Sequence, residues 1–132
     1  MSYHDIGEGI YNLLDEVTEL AHIYNYEPNE LRDFPCATIT ALQHTNTFAD
    51  TASNNREFQF MVRLYFRRDQ SDYEDIMRKL VDLIIVAIEA DPTLDGNCNY
   101  AIPTEARWLY QEKEVPVRIC EMTITANVRL NR

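Results

Sequence analysis

Oxygen-bearing side chains alternating around a glycine are the first residues in this chain that could do chemistry. Asp91, Thr93, Asp95, Gly96, Asn97 and Asn99 partly imitate a calcium loop, in which oxygen ligands alternate and a glycine makes the sharp bend. The imitation is incomplete, because Thr93 replaces the usual acid or amide and Ile102 stands where a bidentate glutamate belongs. A plain turn that stops a helix is the expectation. His4, His22 and His44 share no i,i+4 or HExxH spacing, so a zinc site has no support. Cys98 with a remote histidine is a conceivable nucleophile and base, since spatial neighbours need not be sequence neighbours, but nothing marks Cys98 as activated. Glu112 with Glu114, and Glu74 with Asp75, are carboxylate pairs in polar surroundings, where a raised pKa is not expected. The three glycines, Gly7, Gly9 and Gly96, form no phosphate loop. No catalytic residue, metal or cofactor is expected.

Contact-making chemistry is more visible. In Phe58 to Arg67 the residues Phe58, Phe60, Val62, Leu64 and Phe66 fall on one side of a strand, and Gln59, Met61, Arg63, Tyr65 and Arg67 on the other. The first set reads as a core face. Met, Arg and Tyr exposed together have the composition of an interface core. Trp108 and Tyr110 share one face of a neighbouring strand by parity, and either join that surface or pack on the helix side. Phe48, Met61, Arg63, Tyr65, Arg67, Val81, Ile85, Trp108 and Tyr110 are the candidate subunit or partner contacts.

The elements that position these residues follow from periodicity. Ile6, Ile10, Leu13, Leu14, Val17, Leu20 and Ala21 lie on one helix face, which predicts a helix over Asp5 to Ile23 with Asp5 as N-cap. Residues 24–35 carry two prolines and read as an ordered connection from helix to sheet. Cys36 to Gln43 is a predicted strand, and His44 to Arg56 a long loop or an extended hairpin arm. Ser71 and Glu74 offer a capping box for a second helix over 71–90, with apolar residues far enough around it, Val81, Ile85 and Val86 included, to require cover on more than one side. Strands are expected at Asn99 to Ile102, Arg107 to Glu112 and Val117 to Leu130. In the last, Cys120, Met122, Ile124, Ala126, Val128 and Leu130 alternate with polar residues. The result is an α+β fold, a largely antiparallel sheet of four to five strands with two helices packed on one face.

A chain of 132 residues that is 45% hydrophobic has material for one core, so a single domain is expected. The formal charge of -10 argues against a surface that grips nucleic acid. Cys36, Cys98 and Cys120 are odd in number, widely spaced and without a CxxC pair, which favours a reducing compartment. The sequence opens without a secretory signal, and its longest apolar run, Leu83 to Ile88, is too short to span a bilayer.

One resemblance draws these features together. An acidic helix leads to Tyr26-x-Pro28-x-x-Leu31-x-x-Phe34-Pro35-x-Ala37, then to a Phe-rich strand and a second helix, and Asp91-Pro92-Thr93-Leu94-Asp95-Gly96 leads into strands ending in a Thr-rich one. This pattern resembles the tail terminator and tail-to-head joining (tail completion) proteins of long-tailed bacteriophages over nearly the whole chain. The resemblance implies a ring-forming structural subunit of the virion, without catalysis, that caps the head-proximal end of the tail tube as a hexamer. Its partners would be copies of itself, the tail tube protein and a neck or head-completion protein, with DNA passing through the lumen without specific binding. Related neck and tail-completion proteins share the layout, which leaves the position along the tail open. The alternative is a small dimeric protein- or ligand-binding module that uses the sheet's polar face or edge, and a weaker third reading is a hydrolase using Cys98 or an acid pair.

Overall fold

The computed structural model describes residues 2–31, 33–50, 53–67, 72–111 and 116–131, and excludes the side chains of 47–50, 53, 130 and 131. Seven elements follow in the order α1 (Tyr3–Asp15), β1 (His22–Tyr24), β2 (Cys36–Asp50), β3 (Ser53–Arg67), α2 (Tyr73–Ala90), β4 (Tyr100–Gln111) and β5 (Val117–Asn131). The strands make one five-stranded sheet ordered β1-β2-β3-β5-β4. The fold is α+β, as expected. The sheet is mixed, because β1 runs parallel to β2 while every other neighbouring pair is antiparallel.

The alternation in β3 and β5 decides which face the helices cover. Phe58, Phe60, Val62, Leu64 and Phe66 are buried, as are Cys120, Met122, Ile124, Ala126 and Val128, and they form one core with Ile6, Ile10 and Leu14 of α1 and Met77, Leu80, Val81, Ile84 and Ile88 of α2. The four-residue spacing of Ile6, Ile10 and Leu14 aligns them on one face of the helix, so α1 buries that face against the sheet.

Three expectations change and one alternative is settled. The first helix starts earlier and ends earlier than predicted: Ser2 is the N-cap, its hydroxyl accepting from the Asp5 amide at 3.2 Å, and the helix stops at Asp15. Val17 and Leu20 still pack on the core, but from successive turns. The apolar stripe continues because the core continues. The backbone leaves the helix because Ala21 donates to the Pro35 carbonyl at 2.7 Å and His22–Tyr24 pair with Cys36–Thr38, bonds with a distant segment that no helical period encodes.

Second, of the two alternatives for 44–56 the extended hairpin arm is the one observed over the described residues: β2 and β3 pair through Asp50 and Ser53, and β3 pairs with β5 as far as Asn131. Third, the two strands predicted within 99–112 are one strand, interrupted only by a bulge between Pro103 and Glu105, where an edge strand tolerates a proline. Fourth, α2 has Asp72 at its N-cap with no side-chain cap bond. Ser71 of the predicted capping box lies outside the described residues, as do Glu112 and Glu114.

The two turns that carry the resemblance are structural. Phe34-Pro35 is a cis peptide bond at the entry to β2. Leu94, Asp95 and Gly96 all have positive φ, and Leu94 is buried in the core.

Candidate functional site

The sheet face away from the helices carries four of the nine predicted contact residues, Met61, Arg63, Tyr65 and Arg67, and the chain itself covers part of it. Residues 25–31 and 33–35, in the crossover between parallel β1 and β2, fold over one end. There Leu31, Phe34 and Tyr24 pack on a second apolar cluster of Cys36, Tyr65, Val117 and Ile119. Tyr65 is therefore only 5% exposed. Its hydroxyl donates to Glu27 Oε1 at 2.6 Å, and burial, then that bond, push its pKa up, so the hydroxyl stays a donor.

Arg63 lies two residues away and ties the same crossover to the sheet. Its Nη1 reaches Glu27 Oε2 at 3.4 Å and its Nε donates to Glu121 Oε2 at 2.7 Å, while Arg107 Nη2 donates to Glu121 Oε1 at 3.0 Å. Adjacent strands place these three in one row, since Arg63 stands opposite Glu121 and Glu121 opposite Arg107. Cross-strand pairs of opposite charge stabilise a sheet in this arrangement. Arg63 and Tyr65 are thus engaged within the chain. Met61 is half-buried and Arg67 exposed at the end of β3.

Glu121 is a nearly enclosed carboxylate, and the Arg63 hydrogen bond, reinforced by Arg107, holds its pKa below the ordinary value of 4.5. A depressed folded-state pKa adds stability that is present above the unfolded-state pKa and is lost as pH falls through the folded one. Urea denaturation of the native protein should show this loss as pH falls from neutral through and below the ordinary carboxylate value of 4.5, and Glu121→Gln should flatten that part of the profile. An unchanged slope in the variant would show that the row of charges is not coupled to folding.

Four of the remaining candidates lie on the helix side. Trp108 stands opposite Cys120 and Tyr110 opposite Arg118, which puts both on the core face of the sheet. Trp108 is half-buried against the core, and the Arg118 guanidinium lies 5.5 Å from its ring and 4.0 Å from that of Tyr110 while bonding Glu74 of α2 at 2.9 Å. Of the two alternatives left open by parity, packing with the helices is the one observed. Val81 is buried in the intramolecular core and Ile85 packs half-buried against it. The apolar residues α2 leaves exposed are Ile76, Leu83 and Val86, the last 61% exposed. Phe48 stands opposite Asn54 in the β2–β3 ladder, and its side chain lies outside the described residues.

The groups with reactive potential do not converge. Among the described residues no cluster of three His, Cys, Asp or Glu could hold a metal ion. Both Asp91 carboxylate oxygens are used to hold the turn, accepting from Thr93 Oγ1 at 3.1 Å and from the Asp95 amide at 3.0 Å. The three cysteines are free and buried. Burial pushes the Cys36 thiol up to about 12 and the Cys98 and Cys120 thiols up to about 11; nearby carboxylates add to the rise at Cys36 and Cys98, while at Cys120 the Arg118 charge opposes it. Such thiols stay protonated at neutral pH, whereas the thiolate is the nucleophile. Glu74 and Asp75 pair with Arg78 and Lys79 along the helix.

Sequence reading overlooked Glu27, Arg107 and Glu121, and it overlooked the exposed apolar side chains Tyr100, Ile102 and Leu109 on β4. A charged residue at 121 inside a strand otherwise half-buried was the available signal for the charge row. The β4 residues carried none, because only the strand order makes that strand an edge. No protein-family model and no curated protein matches this chain.

Proposed function

We propose that this chain is a structural subunit of a phage virion that assembles as a hexameric ring on the head-proximal end of the tail tube. There it ends tube polymerisation and joins the tail to the head or neck. The observation that carries the reading is the placement of apolar surface. Ile76, Leu83 and Val86 stand exposed on α2, while Tyr100, Ile102 and Leu109 stand exposed on the face of β4 away from the helices. A closed ring of identical subunits needs two different patches on each copy, and exposed apolar surface gathered in separate patches marks contact sites. The hairpin arm through Asp50 and Ser53 adds a projecting element suited to reach a neighbour or the tube.

The motifs of the resemblance fit the same reading as parts of the scaffold, one closing the crossover at Phe34-Pro35 and one seating Leu94 under α1. In this role the chain performs no catalysis and holds no cofactor, and an acidic lumen lets DNA pass without adhering, because like charge discourages the phosphate backbone. Among the described residues no helix is long and apolar enough to cross a membrane. Assembly would take place in the host cytoplasm, before incorporation at the tail and neck of the virion.

Disrupting the gene in a phage that carries it should give tails of uncontrolled length or tails that fail to join heads, and images of the assembled protein should show six subunits around an axis. Normal-length, joined tails would refute the role. A two-fold dimer acting as a protein-binding module is the second reading, favoured by the open edge of β4. Assembled mass separates the two.

A further inference from the structure

The outer edge of β4 is charged in a way that matches itself. β4 ends the sheet, so one side of the strand has no neighbouring strand; the Ala101 amide donates to the Pro92 carbonyl at 2.6 Å, and beyond it an edge without a partner strand is a template for another strand. Glu105 and Arg107 both lie on the face away from the helices, opposite Thr123 and Glu121, and flank the exposed Ala106. Ile102 and Leu109 lie on that face too, opposite Thr125 and Ile119, and are 47% and 37% exposed. The bulge at Thr104 is what brings Ile102 onto the same face as Glu105.

We infer that the β4 edge pairs antiparallel with the β4 edge of a second copy, about a two-fold axis at Ala106. In that register Glu105 of each copy stands opposite Arg107 of the other, twice. The bulge then sets Ile102 of each copy opposite Leu109 of the other, so apolar side chains meet outside the charges. A one-residue slip would turn each strand's residues to the wrong face. Two-residue slips place Glu105 on Glu105 or Arg107 on Arg107, and like charges directly opposite are destabilising. Charge alone therefore selects one register. Pro103 and the bulge limit the ladder, since proline donates no bond and a bulge interrupts pairing, so the contact is short and belongs with weak interfaces. It competes with the ring reading for this strand, because a two-fold contact spends Ile102 and Leu109 of both copies on each other and cannot propagate around a ring, so a ring would have to be built from other surfaces such as the exposed face of α2.

The test is a cysteine on the axis. Directly opposite residues of an antiparallel pair have Cα atoms about 4.5–5.5 Å apart, a span that a disulfide bridges. The native cysteines are buried. Ala106→Cys, treated with a mild oxidant, should give a disulfide-linked dimer at least about tenfold faster than Glu89→Cys, an exposed site on α2. Adding Glu105→Arg to the Ala106→Cys chain should slow the cross-link by about fivefold to tenfold while leaving the circular dichroism of the fold unchanged. Equal rates at 106 and 89, or a cross-link indifferent to the charge at 105, would overturn the inference. Its failure is distinguishable from that of the ring: six-fold images with no cross-link remove only the edge pairing, and a cross-link without rings removes only the ring.

Discussion

Phe60→Ala is expected to lower the unfolding free energy by about 3–5 kcal/mol, measured by urea denaturation at neutral pH. The ring sits in the middle of β3, which is the central strand of the sheet and pairs with β2 on one side and β5 on the other. It is 4% exposed. Gly7 of α1 lies over it, close enough that a Cβ there would stand 3.4 Å from the ring edge, and the Tyr3 ring is centred 5.9 Å away. A cavity at this point has little means of closing, because its walls are backbone ladders on both sides and a helix above. The cost should therefore include both the lost transfer energy and the unfilled volume. Gln59→Ala, one residue away and on the opposite face, should change stability by no more than about 0.5 kcal/mol. Comparable losses at both positions would mean that the two faces of β3 are not distinguished as the burial pattern says.

The second large effect is expected at Gly9. In an exposed helix interior, alanine is about 1 kcal/mol more favourable than glycine, so helix propensity predicts that Gly9→Ala stabilises. The close approach predicts the opposite. A Cβ on Gly9 would lie 2.8 Å from the Leu94 carbonyl oxygen and 2.9 Å from its Cβ, distances at which something must shift. The obstructing atom is backbone in a turn whose three residues, Leu94 to Gly96, already hold positive φ, and the turn is further pinned by the Asp91 carboxylate. Overpacking of this kind costs about 1–3 kcal/mol, so Gly9→Ala should destabilise by roughly 1–2 kcal/mol net of the propensity gain. Gly7→Ala meets only the edge of the Phe60 ring at 3.4 Å and should change stability by less than about 1 kcal/mol in either direction. Equal effects at the two glycines would show that the turn yields to α1.

These positions also show what could be read before the fold was known. Gly7 and Gly9 look alike in the sequence, two glycines at the start of an acidic helix, and only the docking of the 91–97 turn onto α1 separates them. Tyr65 and Arg63 alternate with the core residues of β3 and so read as exposed. That parity is right, yet both are engaged, because the crossover from β1 folds back over their face with Leu31 and Phe34 and brings Glu27 to them. Ile76 and Val81 fall within the same apolar belt of α2, and which of them is spent in the core depends on where the helix rests on the sheet. The 44–56 segment has turn composition, but 44–50 and 53–56 are paired across the hairpin, since ladder bonds come from the neighbouring strand and not from a residue's own side chain.

What the amino-acid sequence determined unaided was everything governed by a local period: the two-residue alternation that makes one face of β3 and β5 a core, the four-residue spacing that commits α1 and α2 to cover it, and hence an α+β layer fold. Tertiary structure alone decided where α1 ends, that 22–24 is a strand, that β5 lies between β3 and β4, and which polar and apolar groups stay exposed. The physical reason is that side-chain direction follows from backbone geometry one residue at a time. Strand partners and the covering of a face are chosen by segments far apart in the chain, through hydrogen bonds and contacts that exist only once the sheet has closed.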